Sequence, residues 1–150
     1  MVEQLTPGED HYVIGSMPLE VCKISRSNRT AICSEEIDSA PNHGYLASQD
    51  MKFYGYKLHA VCSVEGVIKP FDLSPVSVHD IHYLSDVKEL MSDCQIIGDK
   101  GYLSQPLQLD LFETSNITLH TPMRKNQLNY KMLPWVYRKA RKCIDTLFSQ

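Results

Sequence analysis

Two carboxylates stand out by their settings. Asp99 lies in Gly98-Asp99-Lys100-Gly101-Tyr102, directly after the apolar run Cys94-Gln95-Ile96-Ile97. Asp145 lies in the stretch from Tyr137 to Phe148, beside Arg138, Lys139, Arg141 and Lys142. A carboxylate at the mouth of a buried strand and another on a cationic helix are what divalent-metal chemistry on a phosphate backbone needs. Each also has a plainer explanation. Asp-Lys-Gly after a strand is ordinary turn chemistry, in which the aspartate bonds its own backbone. Asp145 follows Arg141 by four residues and Lys142 by three, so an exposed ion pair worth about 0.3–0.5 kcal/mol would account for it.

The elements that must position these residues follow from periodicity. His11-Tyr12-Val13-Ile14 reads as a strand stopped by Gly15-Ser16-Met17-Pro18. Residues 23–50 are polar, carry turn signals at Pro41, Asn42 and Gly44, and read as an irregular insertion. Phe53 to Ser63 and Val67 to Leu73, joined at Glu65-Gly66, form a hairpin. Ile81, Leu84, Val87, Leu90 and Met91 recur at helical spacing, and Asp80 is placed to cap that helix. A strand at Cys94–Ile97, a helix over Gln105–Ser115, a strand from Ile117 to Thr121 and a last helix from Pro134 complete the chain. Three strands followed by helix, strand, helix, strand and helix predict an α/β domain: a ribonuclease-H-like, mixed five-stranded sheet flanked by helices.

The bulk numbers fit one domain over residues 1–150, with 43% apolar and 22% charged residues. No run approaches the roughly 18 apolar residues of a membrane span, and Met1 to Asp10 is polar, so a cytoplasmic location is expected. Cys22, Cys33, Cys62, Cys94 and Cys143 form no C-x-x-C pair, which favours free thiols over a disulfide framework or a zinc site. The net charge of −3 argues against nucleic acid, but the average misleads. No acidic residue lies between Glu113 and Asp145, where Arg124, Lys125, Lys131, Arg138, Lys139, Arg141 and Lys142 all fall. Such segregation predicts one cationic face on an otherwise acidic body.

Taken together, these motifs resemble the DDE transposases of bacterial insertion sequences, and most of all the family numbered nine-eighty-two. Asp99 in Gly-Asp-Lys-Gly-Tyr matches that family's second catalytic carboxylate. Arg141-x-x-x-Asp145-Thr146-Leu147-Phe148 resembles the third, with its upstream arginine. Tyr54-Gly55-Tyr56-Lys57-Leu58-His59 and Leu73-Ser74-Pro75-x-x-Val78-His79-Asp80 are similar to its hairpin, so the likeness runs from about His11 to Gln150. It implies a metal site at Asp99 and Asp145 holding two Mg²⁺ or Mn²⁺ ions. It also implies phosphate contacts from Arg124, Lys125, Arg138, Arg141 and Lys142 to DNA, both element ends and target. A homo-oligomer, or association with an intact transposase, is a further implied partner, and no membrane is.

Two departures qualify the match. The family's first strand ends in Ile-Asp-Ser-x-Pro, whereas this chain has Ile14-Gly15-Ser16-Met17-Pro18, so the first catalytic carboxylate is absent at Gly15. Leu19, Val21, Cys22, Arg26 and Arg29 keep the surrounding pattern. Ile37-Asp38-Ser39-Ala40-Pro41 repeats the motif downstream but follows no buried strand. Asp38 and Asp80 both stand as possible replacement ligands, while His79 and His82 are more simply structural. The third position, a glutamate in the family, is Asp145, which shortens the reach by about 1.5 Å. Misplacement of about 1 Å can cost on the order of 10²-fold in rate.

The resemblance therefore implies an insertion-sequence transposase, carrying out metal-dependent phosphodiester cleavage and strand transfer, degenerate in this chain. It also implies a truncated copy, lacking the helical recognition region before the first strand and stopping inside the last helix. The alternative is a non-catalytic DNA-binding or regulatory remnant. A third reading is an α/β domain whose Asp99 and Asp145 only cap a turn and pair ions.

Overall fold

The computed structural model describes residues 10–46 and 50–149. The polar opening before Asp10, residues 47–49 of the expected insertion, and Gln150 lie outside them. The chain is mixed α/β and divides into two compact units. The first comprises the described parts of Met1–Gly15, Ala60–Phe71 and Asp80–Gln150, and the second Ser16–His59 with Asp72–His79.

Among the described residues there are six strands: β1 (His11–Cys22), β2 (Asn42–Leu46), β3 (Met51–Ser63), β4 (Ile68–Pro75), β5 (Cys94–Ile97) and β6 (Ile117–His120). Three α-helices accompany them: α1 (Tyr83–Leu90), α2 (Gln105–Ser115) and α3 (Trp135–Phe148). The expectation was five strands. The sixth is β2, inside the stretch read as irregular, and that stretch also holds a 3₁₀ helix at Ile24–Arg29.

In the first unit the strand neighbours run β3-β1-β5-β6. β1 pairs parallel with β5, His11 opposite Gln95 and Val13 opposite Ile97. β5 pairs parallel with β6, Cys94 opposite Ile117 and Ile97 opposite His120. Parallel strands joined by helices bury both sheet faces, which explains the unbroken apolar character of these short runs. Ile14, Val61, Ile96, Ile117 and Leu119 pack with Tyr83, Leu84 and Val87 of α1 and Leu111 of α2 on one face. Val13 and Cys62 pack with Ile144 of α3, flanked by Ala140, Cys143, Leu147 and Phe148, on the other. Val13 and Ile14 thus serve opposite faces, as the period of two requires. Each such fully buried Val or Ile contributes about 1.5–3 kcal/mol.

The β3–β4 hairpin closes through Ser63 N–H to Val67 O (2.9 Å), with Gly66 at φ +89°, a left-handed position that glycine takes without cost. β1 was expected to end at Ile14 but continues to Cys22, through Pro18. Within the second unit, β1 and β3 approach so closely that a side chain at Gly55 would strike the Leu19 carbonyl. β2 pairs antiparallel with the start of β3, Asn42 opposite Gly55 and Leu46 opposite Met51. Asp80 does not cap an α-helix: it opens a 3₁₀ turn, Asp80–His82, and α1 starts at Tyr83 after His82. No helix of the described residues is long and apolar enough to cross a membrane.

Candidate active site

The first two motif positions both follow the last residues of the β1–β5 ladder. Val13 faces Ile97 across the parallel ladder, and two residues further along each strand lie Gly15 and Asp99. The backbone beyond β5 stays extended, since Gly98 N–H still reaches His120 O (2.9 Å) and Asp99 has φ −90° and ψ −174°. Alternation carries Gly15 onto the face of Val13, the one that α3 covers, as its approach to Ile144 shows.

α3 brings the third position close. An ideal Cβ built on Gly15 would lie 3.0 Å from Ile144 Cδ1 and 3.3 Å from Ile144 Cγ2. Ile144 is 3% exposed, whereas Asp145, the next residue, is exposed. Asp145 shares a helical stripe with Arg138, Arg141 and Lys142, which lie seven, four and three residues back. The expected ion pair to Arg141 or Lys142 is not formed among the described residues. Asp99, by contrast, does what the turn reading expected: its Oδ1 accepts the Gly101 N–H at 2.7 Å.

A second carboxylate lies beside Asp99. The Cβ position of Gly101 is 3.0 Å from Asp99 Oδ1 and 3.4 Å from Asp80 Oδ2, so one glycine separates two acids. Any larger residue at 101 would press on both. Asp38 occupies an exposed turn in the second unit. Among the described residues no group of three or more His, Cys, Asp or Glu side chains is placed to hold a metal ion, His79, Asp80 and His82 included. Residue 15 contributes no donor atom. The described side chains therefore do not fit a two-ion carboxylate site.

The basic residues are distributed as a surface. Arg124 and Lys125 are exposed in the loop between β6 and α3, where Gln127 Oε1 accepts the Arg124 N–H at 2.7 Å. Arg138 and Lys142 are exposed on α3, and Arg141 is half-buried. Lys139 Nζ sits 5.2 Å over the Trp135 ring, a cation–π contact at the helix start.

Sequence reasoning missed a polar cluster under α3. His120 Nε2 bonds Gln95 Oε1 at 2.9 Å, and the His120 ring stacks on Tyr137 with centroids 4.6 Å apart. Burial, and the nearby His11, hold the His120 imidazole below its ordinary pKa. The available signal was polar residues at alternate positions of otherwise apolar strands, His11, Gln95, Thr118 and His120. The contact of Ile144 with residue 15 carried no sequence signal.

Neither a curated protein nor a solved structure matches this chain. Residues 8–150 match the family described as the transposase DDE domain, nearly the full length and with every motif position inside it. The chain belongs to the transposase DDE domain family.

Proposed function

We propose that this chain is an insertion-sequence transposase domain that has kept its contact with DNA and lost cleavage and strand transfer at residue 15. Family membership brings DNA as the partner and a divalent-metal requirement for the chemistry. The observation that carries the proposal is at Gly15: two residues beyond the Val13–Ile97 pair, where the family motif has its first carboxylate, there is no side chain, and Ile144 packs close to where one would begin. Asp99 and Asp145 are the two catalytic positions retained. Asp99 already spends one oxygen on a backbone N–H.

The order of strands and helices supports reading the first unit's sheet as ribonuclease-H-like, and the spaced motifs support the family numbered nine-eighty-two. What the chain's own residues do is bind and orient. Arg124, Lys125, Arg138 and Lys142 are exposed cations with little acidic competition nearby in sequence, suited to neutralising backbone phosphates without reading bases. Asp145 within that stripe marks where the scissile phosphate would lie in an active relative. Among the described residues no set of side chains is placed to take over the metal-holding role of the missing carboxylate, so bound DNA is expected to stay intact.

The test compares the unaltered chain with Gly15→Asp, Asp145→Glu and the double variant, in DNA binding and in Mg²⁺-dependent cleavage. Salt-sensitive binding by all four, with cleavage only in the two variants that carry Gly15→Asp, supports the proposal. Absence of DNA binding by the unaltered chain at low salt overturns it.

A further inference from the structure

The second unit carries a basic feature that the reading above does not use. The 3₁₀ helix Ile24–Arg29 holds Arg26 and Arg29 three residues apart. A 3₁₀ helix has three residues per turn, so side chains at that spacing eclipse and both guanidinium groups leave the same side. Together with Cys22 and Thr30 they line a hollow of about 360 Å³, and among the described residues its lining contains no carboxylate. Among the described residues neither guanidinium has a hydrogen-bond or ion-pair partner.

The helix is held in place from another of its sides. Ser27, 8% exposed, donates its hydroxyl proton to Ile24 O at 2.8 Å. His43 Nε2 of β2 lies 3.0 Å from the same hydroxyl oxygen. Because the hydroxyl proton is already used, the imidazole N–H is the donor in that second bond. Arg26 N–H to Lys23 O, at 2.8 Å, closes the first turn. The fork is therefore presented on a short element pinned to a strand, which lowers the ordering cost of binding.

We propose that Arg26 and Arg29 form a fork for one phosphate group, a binding site separate in sequence from the α3 basic stripe. Guanidinium groups match phosphate oxygens in pairs, and two eclipsed ones can bind one phosphate from adjacent directions. The Thr30 hydroxyl adds a neutral donor at the rim. That the phosphate belongs to a DNA backbone rests on the transposase reading; the fork itself does not.

The experiment has two arms. Fluorescence anisotropy with a labelled random-sequence duplex, from about 50 to 200 mM salt, compares the unaltered chain with Arg26→Gln/Arg29→Gln and Arg26→Lys/Arg29→Lys. The glutamine pair is expected to bind roughly tenfold more weakly at the low-salt end and to lose about one from the log–log salt slope, as loss of one phosphate contact requires. The lysine pair keeps the charge but not the fork, and falls between. In the second arm, inorganic phosphate is titrated while the Nε–H resonances of Arg26 and Arg29 are followed.

Loss of DNA affinity identifies the source as the backbone, and a phosphate-induced shift alone identifies a free phosphate; both uphold the fork. No change in either arm, with thermal unfolding showing the variants folded, overturns it. Arg138→Gln/Lys142→Gln, run alongside, separates the two ideas. If only that variant loses DNA, and phosphate leaves the Arg26 and Arg29 resonances unmoved, the fork fails and the DNA reading stands. If the unaltered chain ignores DNA while phosphate moves the fork resonances, the reverse holds.

Discussion

Gly15 and Ile144 are in contact across the β1–α3 interface, with only 3.0 Å between the Cβ position of residue 15 and Ile144 Cδ1. The nearest atom is the tip of a side chain, so the site can yield, but Ile144 is buried and its room to move is small. Gly15→Ala is expected to destabilise the chain by about 1–3 kcal/mol. Ile144→Val removes the nearest atom at a cost of about 0.5–1.5 kcal/mol. Urea unfolding should show the double variant losing less than the two single losses combined. Strict additivity would mean that the two positions do not touch.

Asp99 holds its turn through Oδ1 and the Gly101 N–H. Asp99→Ala should cost about 1 kcal/mol, the loss of a capping bond. Asp99→Asn retains an acceptor at the same place and should unfold close to the unaltered chain. Equal losses in both variants would show that the charge, rather than the hydrogen bond, stabilises the turn.

The lowered pKa of His120 sets a pH dependence with a definite sign. Above its ordinary value near 6.5 the ring is neutral in both folded and unfolded chains, and it contributes no slope. Below that value the unfolded chain takes up the proton first, so stability falls as the pH drops toward the folded pKa. Thermal melting between pH 7.5 and 5.5 should show a steeper loss for the unaltered chain than for His120→Gln. Identical slopes would count against a buried neutral imidazole.

Thiol reactivity should divide the cysteines. Burial and the adjacent Cys143 push the Cys62 thiol up to about 12, and burial pushes Cys94 up to about 11. Cys33 is exposed in a turn. Alkylation of the folded chain near pH 8, mapped by mass spectrometry, should label Cys33 first and leave Cys62 and Cys94 until denaturant is added. Early labelling of Cys62 would mean that α3 does not cover it.

How far the sequence alone carries is clear element by element. β5, α2 and β6 lie within a residue of their expected ends, because each has strong periodicity and a clear stop: Gly98 after β5, Asn116 in the left-handed region after α2, Pro122 beyond β6. β2 was invisible because Asn42-His43-Gly44-Tyr45-Leu46 has turn formers and little alternation. It is a strand because β3 offers it a ladder. Pro18 and Gly15 looked like stops, yet β1 continues past both, neighbour pairing outweighing local preference. At the site, Gly15 and Asp99 were legible as motif positions, each two residues beyond the Val13–Ile97 pair. The contact with Ile144, the Asp80–Asp99 proximity at Gly101 and the pinned arginine fork all depend on tertiary packing, which no local pattern encodes.

The most direct measurement places the unaltered chain on supercoiled plasmid with Mg²⁺ or Mn²⁺, at a salt concentration where anisotropy shows DNA bound. The expected result is bound DNA with no nicking above a chelator-treated control. Metal-dependent nicking by the unaltered chain would contradict the loss of chemistry at Gly15.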